Sequence, residues 1–425
     1  MRCSGSVAFG MATTPLPVLG ARAKSASRAL ALAPRAAKDA ALRAAASSLL
    51  DARREILEEN ALDVERAAAA GAGATVVDRL RLDEGRLASM AGGLEDVARL
   101  PDPVGEVVEG SVRPNGLRVR RVRVPLGVVG IVYENRPNVT SDAAALCLKS
   151  GNAVLLRGSA GAIDSNRAIA AAIRRGVEDA ALPVDSVQLV VDTAHETVVE
   201  FVKLRGAIDC LIPRGGPSLL EIVREHATVP YVMDGDGNCH VYVDSSADLD
   251  VAERIVVNAK MQRPSVCNAA ETLLVHEAIA PVALPRLAAA LAGVELVGDE
   301  ATRAILPGVA PACEEDFASE FLALKLAVAV VSSLDAAIEH IARYSTGHSE
   351  AIVTRDYAAA TRFTREVDAA AVLVNASTRF VDGGELGLGA EIGISTQKLH
   401  ARGPMGLREL TTVKYVVEGD GQVRT

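Results

Sequence analysis

Tryptophan is absent from this 425-residue chain, and phenylalanine and tyrosine occur only six times each. So few aromatic side chains argue against a surface on which nucleic-acid bases stack. An excess of positive charge is also missing, because 45 lysines and arginines stand against 54 aspartates and glutamates and give a net charge of -9. We therefore expect neither a nucleic acid nor an anionic membrane as a partner.

Cysteine and histidine are sparse as well. The six cysteines lie far apart without a CxxC pair, and the seven histidines form neither an HxxxH nor an HExxH pattern. This spacing argues against a zinc ribbon and against a dense disulfide framework. We expect no metal site and a reducing, cytoplasmic environment.

Long apolar runs are missing too. No run of about 18 apolar residues occurs, so the sequence predicts no membrane-spanning helix. The basic stretch before Asp39 superficially resembles an organelle transit peptide, which remains one interpretation. Its alanine and leucine periodicity continues unbroken into the acidic stretch that follows, which favours a folded helix. We expect residues 1–15 to be an N-terminal extension.

What the chain does contain is a strong α/β pattern. Helical periodicity runs through residues 21–70 and 74–100 and stops at two prolines in 101–103. From residue 125 onward, short apolar runs alternate with alanine-rich helices, as in βαβ units. Strands of a first domain are predicted at 127–133, 153–157, 187–191, 210–212 and 239–243. The alternation resumes from residue 246, which predicts two doubly wound domains with ligands bound beyond the carboxyl ends of their strands.

A basic β-pattern separates the helical stretch from the first domain. Residues 117–124 alternate apolar and charged side chains, four of which are arginines. The alternation predicts a strand with one basic face. A ribbon that binds nucleic acid is one interpretation. We favour a hairpin between domains or subunits, and a second strand is predicted at 411–417 in the C-terminal tail.

Cys267 is the candidate nucleophile. It lies in a short polar turn, residues 262–269, between a predicted helix and a predicted strand, with Lys260 and Arg263 close in sequence. A thiolate is highly nucleophilic, and nearby cations increase the thiolate fraction. Local context alone leaves two interpretations equally favoured: a reactive thiol and a small buried hydrophobic residue.

Other site signals are weaker. A carbonyl attacked by a thiolate needs a hydrogen-bond donor for the developing oxyanion, and Asn135 follows a predicted strand where a ligand should lie. The same residue also fits a turn-forming asparagine before Pro137. GxGxxG and GxSxG are absent, so a dinucleotide is held in another way and a Ser-His-Asp hydrolase is not supported.

Five motifs together resemble the gamma-glutamyl phosphate reductase family, a divergent branch of the aldehyde dehydrogenase superfamily. They are VPLGVVG at 124–130, YENRP at 133–137, QRPSVCN at 262–268, GLGAEIG at 387–393 and QKLHARGPMGL at 397–407. The resemblance implies an aldehyde-dehydrogenase-like α/β fold in three parts. These are a nicotinamide-cofactor-binding domain at 16–104 and 125–245, a catalytic domain at 246–384 carrying Cys267, and an oligomerisation arm of β-hairpin and strand at 105–124 and 385–425.

The resemblance also implies a reaction. That reaction is the NADPH-dependent reduction of L-glutamyl 5-phosphate to L-glutamate 5-semialdehyde, with release of phosphate, through a thioester on Cys267. It is the second step of proline biosynthesis from glutamate. The implied partners are further copies of the chain in a homo-oligomer and a separate glutamate 5-kinase. The superfamily's deacylating glutamate has no counterpart here, and Asp234 is the nearest acid that could handle protons.

Residue roles are carried over from the resemblance as expectations. Cys267 is the nucleophile, and Asn135 with the backbone N–H of Cys267 forms the oxyanion hole. The implied cofactor-binding residues are Arg157, Gly158, Ser159, Arg214, Gly215, Gly216 and Glu320, the last near the nicotinamide ribose. Ala160 and Gly161 replace a lysine and an acid of many relatives, so a 2′-phosphate of NADP must be recognised elsewhere, by Arg157, Ser159 or backbone amides.

Cations are required for the carboxylate and phosphate of this substrate. The candidates are Arg136, Arg263 and Arg379, whose alternative role is to bridge loops through carbonyl groups. Two other functions compete with the reductase: a cofactor-free cysteine acyltransferase or hydrolase, and a catalytically silent oligomeric binding protein. The first involves no hydride transfer, and the second predicts that Cys267→Ala changes only stability.

Overall fold

The computed structural model describes residues 14–233 and 235–424, apart from the side chains of Ala74 and Thr75. The chain divides into two compact units. The N-terminal unit comprises Met1–Val232 and Leu407–Thr425, and the cysteine unit comprises Met233–Gly406. Among the described residues, no helix is both long and apolar enough to cross a membrane.

The elements are numbered in chain order. The helices are α1 Leu16–Leu30, α2 Arg35–Asp51, α3 Arg53–Ala69, α4 Ala74–Leu80, α5 Glu84–Arg99, α6 Pro137–Lys149, α7 Ile163–Asp179, α8 His195–Val202, α9 Pro217–His226, α10 Leu249–Met261, α11 Ala280–Ala290, α12 Glu300–Ile305, α13 Glu314–Phe317, α14 Leu334–Tyr344 and α15 Tyr357–Glu366. The strands are β1 Val107–Val112, β2 Arg118–Pro125, β3 Val128–Tyr133, β4 Ala153–Gly158, β5 Val187–Leu189, β6 Cys210–Arg214, β7 Cys239–Val243, β8 Ala270–His276, β9 Glu295–Gly298, β10 Ala310–Pro311, β11 Lys325–Val331, β12 Ser349–Val353, β13 Ala371–Val374, β14 Ile394–Ser395, β15 Gly403–Pro404 and β16 Thr411–Glu418.

The N-terminal unit opens with helices, but the predicted stretch at 21–70 is not continuous. Pro34, directly before α2, interrupts the predicted helix, because proline provides no backbone N–H and its ring clashes with a preceding turn. The stretch at 74–100 is divided as well, and α5 begins after Asp83, whose carboxylate accepts the N–H of Arg86. Helix α2 then packs against α7 at Gly176, where a β-carbon would lie 2.2 Å from the nitrogen of Ala45.

The sheet of the N-terminal unit is parallel, with the order β5-β4-β3-β6. Strands β3 and β4 are buried along their whole length, as expected of a parallel sheet covered on both faces. The four strands predicted at 127–133, 153–157, 187–191 and 210–212 are confirmed to within two residues at each end. The strand order reverses at β3, so the carboxyl ends of β4, β3 and β6 form a topological switch point, where such sheets bind ligands.

The basic strand β2 lies at the centre of a separate antiparallel sheet, β1-β2-β16. Its arginines pair with acids of the same sheet: Arg120 with Glu418, Arg121 with Glu109 and Arg123 with Glu106. Because these cations are already matched within the sheet, the arrangement favours the hairpin interpretation over a nucleic-acid ribbon. We call this sheet the arm.

The cysteine unit contains a seven-stranded sheet with the order β10-β9-β11-β8-β7-β12-β13, and its paired strands are parallel. Helices α10 and α11 pack on one apolar core, and α14 and α15 pack on another. The strand predicted at 239–243 forms as β7, but its placement in the first sheet was wrong, since β7 pairs with β8 and β12. A wholly buried apolar run indicates a strand without indicating its neighbours.

Candidate active site

The cysteine turn, residues 262–269, leads from the end of α10 into the central strand β8. The N–H of Ala269 donates to the carbonyl oxygen of Val266 at 3.0 Å, which closes the turn. The buried amide of Asn268 donates to the carbonyl oxygen of Val381 at 2.9 Å. Cys267 itself stays partly exposed. The turn is therefore fixed by its backbone and by Asn268, while the residue with the thiol keeps contact with solvent.

Gly237 packs directly against the backbone of Cys267. A β-carbon at position 237 would lie 1.6 Å from the carbonyl oxygen of Cys267, so only glycine fits. The thiol of Cys239 donates to the same carbonyl oxygen at 3.2 Å. Burial raises the pKa of the Cys239 thiol well above its ordinary value, so Cys239 stays a protonated donor and is not a second nucleophile.

Glu320 approaches the cysteine turn through Gly237. Its carboxylate accepts the N–H of Gly237 at 2.8 Å. Burial raises the pKa of Glu320, and the hydrogen bond from Gly237 opposes that rise. Glu320 is therefore connected to the cysteine turn through one intervening residue, Gly237.

Two of the three predicted substrate cations lie near the thiol. The Nε of Arg379 donates to the side-chain oxygen of Gln262, at the start of the turn, at 2.8 Å. Burial is the main cause that lowers the pKa of Arg379, and the charge of Arg263 lowers it further, while Cys267 acts in the opposite direction. Arg379 is thus within electrostatic reach of both Arg263 and Cys267.

Asn135 directly follows β3 in the N-terminal unit and adopts the left-handed conformation, with a φ of 45°. The hydroxyl of Ser159 donates to Oδ1 of Asn135 at 3.0 Å and accepts the backbone N–H of Asn135 at 3.1 Å. Because Ser159 holds the oxygen end of the amide, the nitrogen end is the one oriented to donate. A turn-forming role and a donor role are therefore compatible.

A cavity of about 240 Å³ lies at the carboxyl ends of β3 and β4, next to α8 and α9. Glu134, Ser159 and His195 contribute to its lining. Glu134 also accepts the N–H of Gly216 at 2.9 Å, and a β-carbon at Gly215 would lie 2.6 Å from the same carboxylate. The loop after β6 is thereby held against the end of β3, where its backbone borders the switch point.

Arg157 bridges a loop. One of its terminal nitrogens donates to the carbonyl oxygens of Thr193 and Ala194, at 2.9 and 2.8 Å, just before α8. The side chain lines the cavity but is largely buried, and burial lowers its pKa. These contacts match the loop-bridging role of a buried arginine, and recognition of a 2′-phosphate by Arg157 or Ser159 stays a prediction.

Comparison with known proteins decides the family. The model of the aldehyde dehydrogenase family matches residues 16–314. The gamma-glutamyl phosphate reductase of Thermobifida fusca is 56% identical over 405 residues, which is 95% of this chain and 97% of that protein. That of Carboxydothermus hydrogenoformans is 56% identical over 408 residues, 96% of this chain and 98% of that protein. The crystal structure of gamma-glutamyl phosphate reductase from Thermotoga maritima is 50% identical, with a TM-score of 0.94 over 96% of this chain and 99% of that one.

The chain belongs to the gamma-glutamyl phosphate reductase family. Membership confirms the aldehyde-dehydrogenase-like α/β fold that the motifs predicted and makes the chain an oxidoreductase.

The structure groups the predicted residues of this gamma-glutamyl phosphate reductase family member within its two units. In the cysteine unit, Cys267, Arg263, Arg379 and Glu320 lie around one turn. In the N-terminal unit, Asn135 and Arg136 follow β3, Gly158 ends β4 with Ser159 directly after it, and Arg214 ends β6 with residues 215–216 directly after it. Asp234 lies outside the described residues. Within those residues, no group of three or more His, Cys, Asp or Glu side chains is arranged to hold a metal ion.

Sequence reasoning missed two residues that support the cysteine turn, Gly237 and Glu271, and gave a third, Lys260, a different role. Gly237 was not singled out, because a glycine in a Gly-rich loop gives no local sign of what it packs against. Lys260 was expected to act as a cation near the thiol, but its ammonium group is buried against Glu271. The sequence did contain a signal for this ion pair. A lysine lies on the apolar face of α10 and a glutamate lies in the apolar strand β8, so two opposite charges occupy buried positions on either side of the turn.

Proposed function

We propose that the chain reduces L-glutamyl 5-phosphate to L-glutamate 5-semialdehyde and releases phosphate, the second step of proline biosynthesis from glutamate. The names of relatives at 53–56% identity over nearly the whole chain support this substrate. The observation that carries the chemistry is the partly exposed Cys267 on a hydrogen-bonded turn that also contains Arg263, with Arg379 in electrostatic reach of the thiol. The compartment we propose is the cytoplasm, with a separate glutamate 5-kinase as the source of the acyl phosphate.

The first step is acyl transfer to Cys267. The thiolate attacks the carbonyl carbon of the acyl phosphate, the C–O bond to phosphate breaks, and a thioester forms. Arg263 and Arg379 would favour the thiolate and the anionic phosphate through the positive charge of their guanidinium groups. The N–H of Cys267 and the amide of Asn135 remain the predicted donors to the oxyanion.

The cofactor we propose is NADPH. The cavity at the switch point has room for part of a dinucleotide only. Its volume of about 240 Å³ is below the roughly 300–1,000 Å³ of a site that encloses a whole drug-sized ligand. The loops 157–159 and 214–216 would hold the adenosine ribose and the pyrophosphate, and Glu320 the nicotinamide ribose. When bound, the reduced nicotinamide supplies a hydride to the acyl carbon. The C–S bond to Cys267 would then break, which returns the thiolate and releases the aldehyde, so no residue needs to activate water.

The reverse reaction tests this function. With L-glutamate 5-semialdehyde, phosphate and NADP, the absorbance band of the reduced nicotinamide should appear, and it should appear more slowly with NAD. Cys267→Ala should lower the rate by about 10⁴-fold or more, because removing a covalent nucleophile removes the acyl intermediate. The midpoint of urea unfolding and the binding of NADPH should stay close to those of the unsubstituted protein.

Two results would contradict the proposal. If no reduced nicotinamide forms in the reverse reaction, the acyltransferase or hydrolase alternative gains support. If Cys267→Ala keeps normal activity, the covalent mechanism is wrong.

A further inference from the structure

Two opposite charges lie fully buried at the base of the cysteine turn. Lys260 is the last residue but one of α10, and Glu271 is the second residue of β8. The distance between Lys260 Nζ and Glu271 Oε2 is 2.5 Å, and neither side chain is exposed. The ion pair therefore joins the helix that ends before Cys267 to the strand that begins after it.

Stability alone explains such a pair poorly. Removing two charges from water is unfavourable, and replacing a whole buried pair by apolar side chains is often neutral or stabilising. Burial lowers the pKa of Lys260 and raises that of Glu271 to about 7, and in each case the partner's charge opposes the shift. What the pair does provide is a fixed distance between the two ends of the turn.

The second oxygen of Glu271 extends this link to another segment. It accepts the backbone N–H of Leu322 at 3.2 Å. Leu322 has a φ of 52°, a left-handed conformation that a leucine adopts only when its surroundings hold it there. Lys260 also lies 6.0 Å from the ring centroid of Phe321. The ion pair thus anchors the segment 320–322 as well as the turn.

The contacts then return to the nucleophile. Glu320, on the anchored segment, accepts the N–H of Gly237 at 2.8 Å. Gly237 in turn packs against the carbonyl group of Cys267 without room for a β-carbon. The contacts therefore form a closed ring that begins and ends at Cys267. The ring passes through the cysteine turn, Glu271, segment 320–322 and Gly237.

We propose that Lys260 and Glu271 are positioning residues for Cys267. Their ion pair fixes both ends of the cysteine turn and, through Leu322 and Glu320, holds Gly237 against the nucleophile. This inference rests on the proposed function, in which Cys267 forms the thioester. Neither residue takes part in bond formation, so their removal should change the reactivity of the thiol more than the binding of substrate.

The test is the double variant Lys260→Met with Glu271→Leu, which removes both charges at similar volume. We expect it to fold with an unfolding midpoint near that of the unsubstituted protein. Its kcat should fall about tenfold or more with KM within about twofold, because misplacing a reacting group lowers the rate of chemistry. Alkylation of Cys267 by iodoacetamide, followed by mass spectrometry of its peptide, should slow by a similar factor.

Two further variants sharpen the comparison. Glu271→Gln keeps an acceptor for Leu322 and Lys260, so it should retain more kcat than Glu271→Leu. Lys149→Met with Asp39→Leu removes a buried ion pair in the N-terminal unit and should leave the alkylation rate of Cys267 unchanged.

The inference is overturned if the Lys260/Glu271 double variant keeps the normal kcat and alkylation rate, or if it fails to fold, because the pair would then be purely structural. Both results differ from a failure of the proposed function, which would appear as activity retained in Cys267→Ala.

Discussion

A single missing β-carbon shapes the surroundings of Cys267, the proposed nucleophile. Only glycine fits at position 237, against the carbonyl group of Cys267. The N–H of Gly237 donates a hydrogen bond to the carboxylate of Glu320. Any side chain at position 237 must displace the cysteine turn, the loop before β7, or both.

Gly237→Ala should therefore lower kcat by about 100-fold, since a displacement of roughly 1 Å at a reacting group has an effect of that size. Gly308→Ala is the matched control, because a β-carbon at position 308 meets nothing within 4 Å. Steady-state kinetics of the two variants give the comparison. Equal kcat values would show that the cysteine turn tolerates movement and that its packing against Gly237 has no catalytic role.

At the level of single residues, the sequence singled out the candidate nucleophile better than the residues that support it. Cys267 and Arg263 are neighbours along the chain, and the motif containing them is distinctive. Lys260 and Glu271 are also close in sequence, but their pairing depends on how α10 and β8 pack, and no local pattern encodes that distance. The partners of Gly237 come from segments about 30 and 83 residues away, which only the folded sheet brings together.

The arm leaves much of its apolar surface exposed. Every residue of β1 is exposed, and apolar side chains of the arm face solvent, namely Val107, Val108, Val112, Tyr415 and Val417. Contiguous exposed apolar side chains on an edge strand indicate an interaction surface. We therefore propose that the arm joins copies of this chain into a homo-oligomer.

Tyr415→Glu with Val417→Glu should reduce the molecular mass measured by light scattering to that of a smaller species, because two carboxylates would be buried without partners in the interface. Thr412→Glu places one carboxylate on the opposite face of β16 and is the control for Tyr415→Glu alone, which adds one carboxylate to the apolar face. An unchanged mass for the double variant would assign the oligomer, if one forms, to another surface.

Elements were predictable where the pattern was local. The four strands of the first sheet follow from apolar runs between helices, and their positions are confirmed. The break at Pro34 was missed because alanine and leucine continue with helical spacing on both sides of it. The sheet to which β7 belongs was predicted wrongly, since all its side chains are buried and its neighbours β8 and β12 lie far along the chain.

At the scale of the whole molecule, the half-buried His340 and the buried His348 couple stability to pH. Burial lowers the pKa of His340 to about 3, and the charges of His240 and Arg343 lower it further in the same direction. Burial lowers the pKa of His348 to about 4. Above about pH 6.5, both histidines are neutral in the folded and the unfolded chain. Below that pH the unfolded chain binds protons that the folded chain does not, so the free energy of unfolding falls.

The expected slope is at most about 1.4 kcal/mol per pH unit for each histidine as the pH falls from about 6.5 towards about 4. Glu271 acts in the opposite direction, because its raised pKa gives stability that is lost as the pH rises towards about 7. The comparison with His340→Phe isolates one histidine, and phenylalanine keeps an aromatic ring against Phe317 and Tyr344. Urea unfolding between about pH 7 and pH 5 should give a shallower decline for the variant; parallel declines would show that His340 is protonated in the folded state.

The central claim is that Cys267 carries the acyl group, and trapping that group tests it most directly. The protein is incubated with L-glutamate 5-semialdehyde and NADP in the absence of phosphate, and the peptide that contains Cys267 is analysed by mass spectrometry. The account predicts a glutamyl adduct on Cys267 that disappears when phosphate is added and never forms in Cys267→Ser. Formation of NADPH without an adduct on Cys267, or with an adduct on another residue, would contradict it.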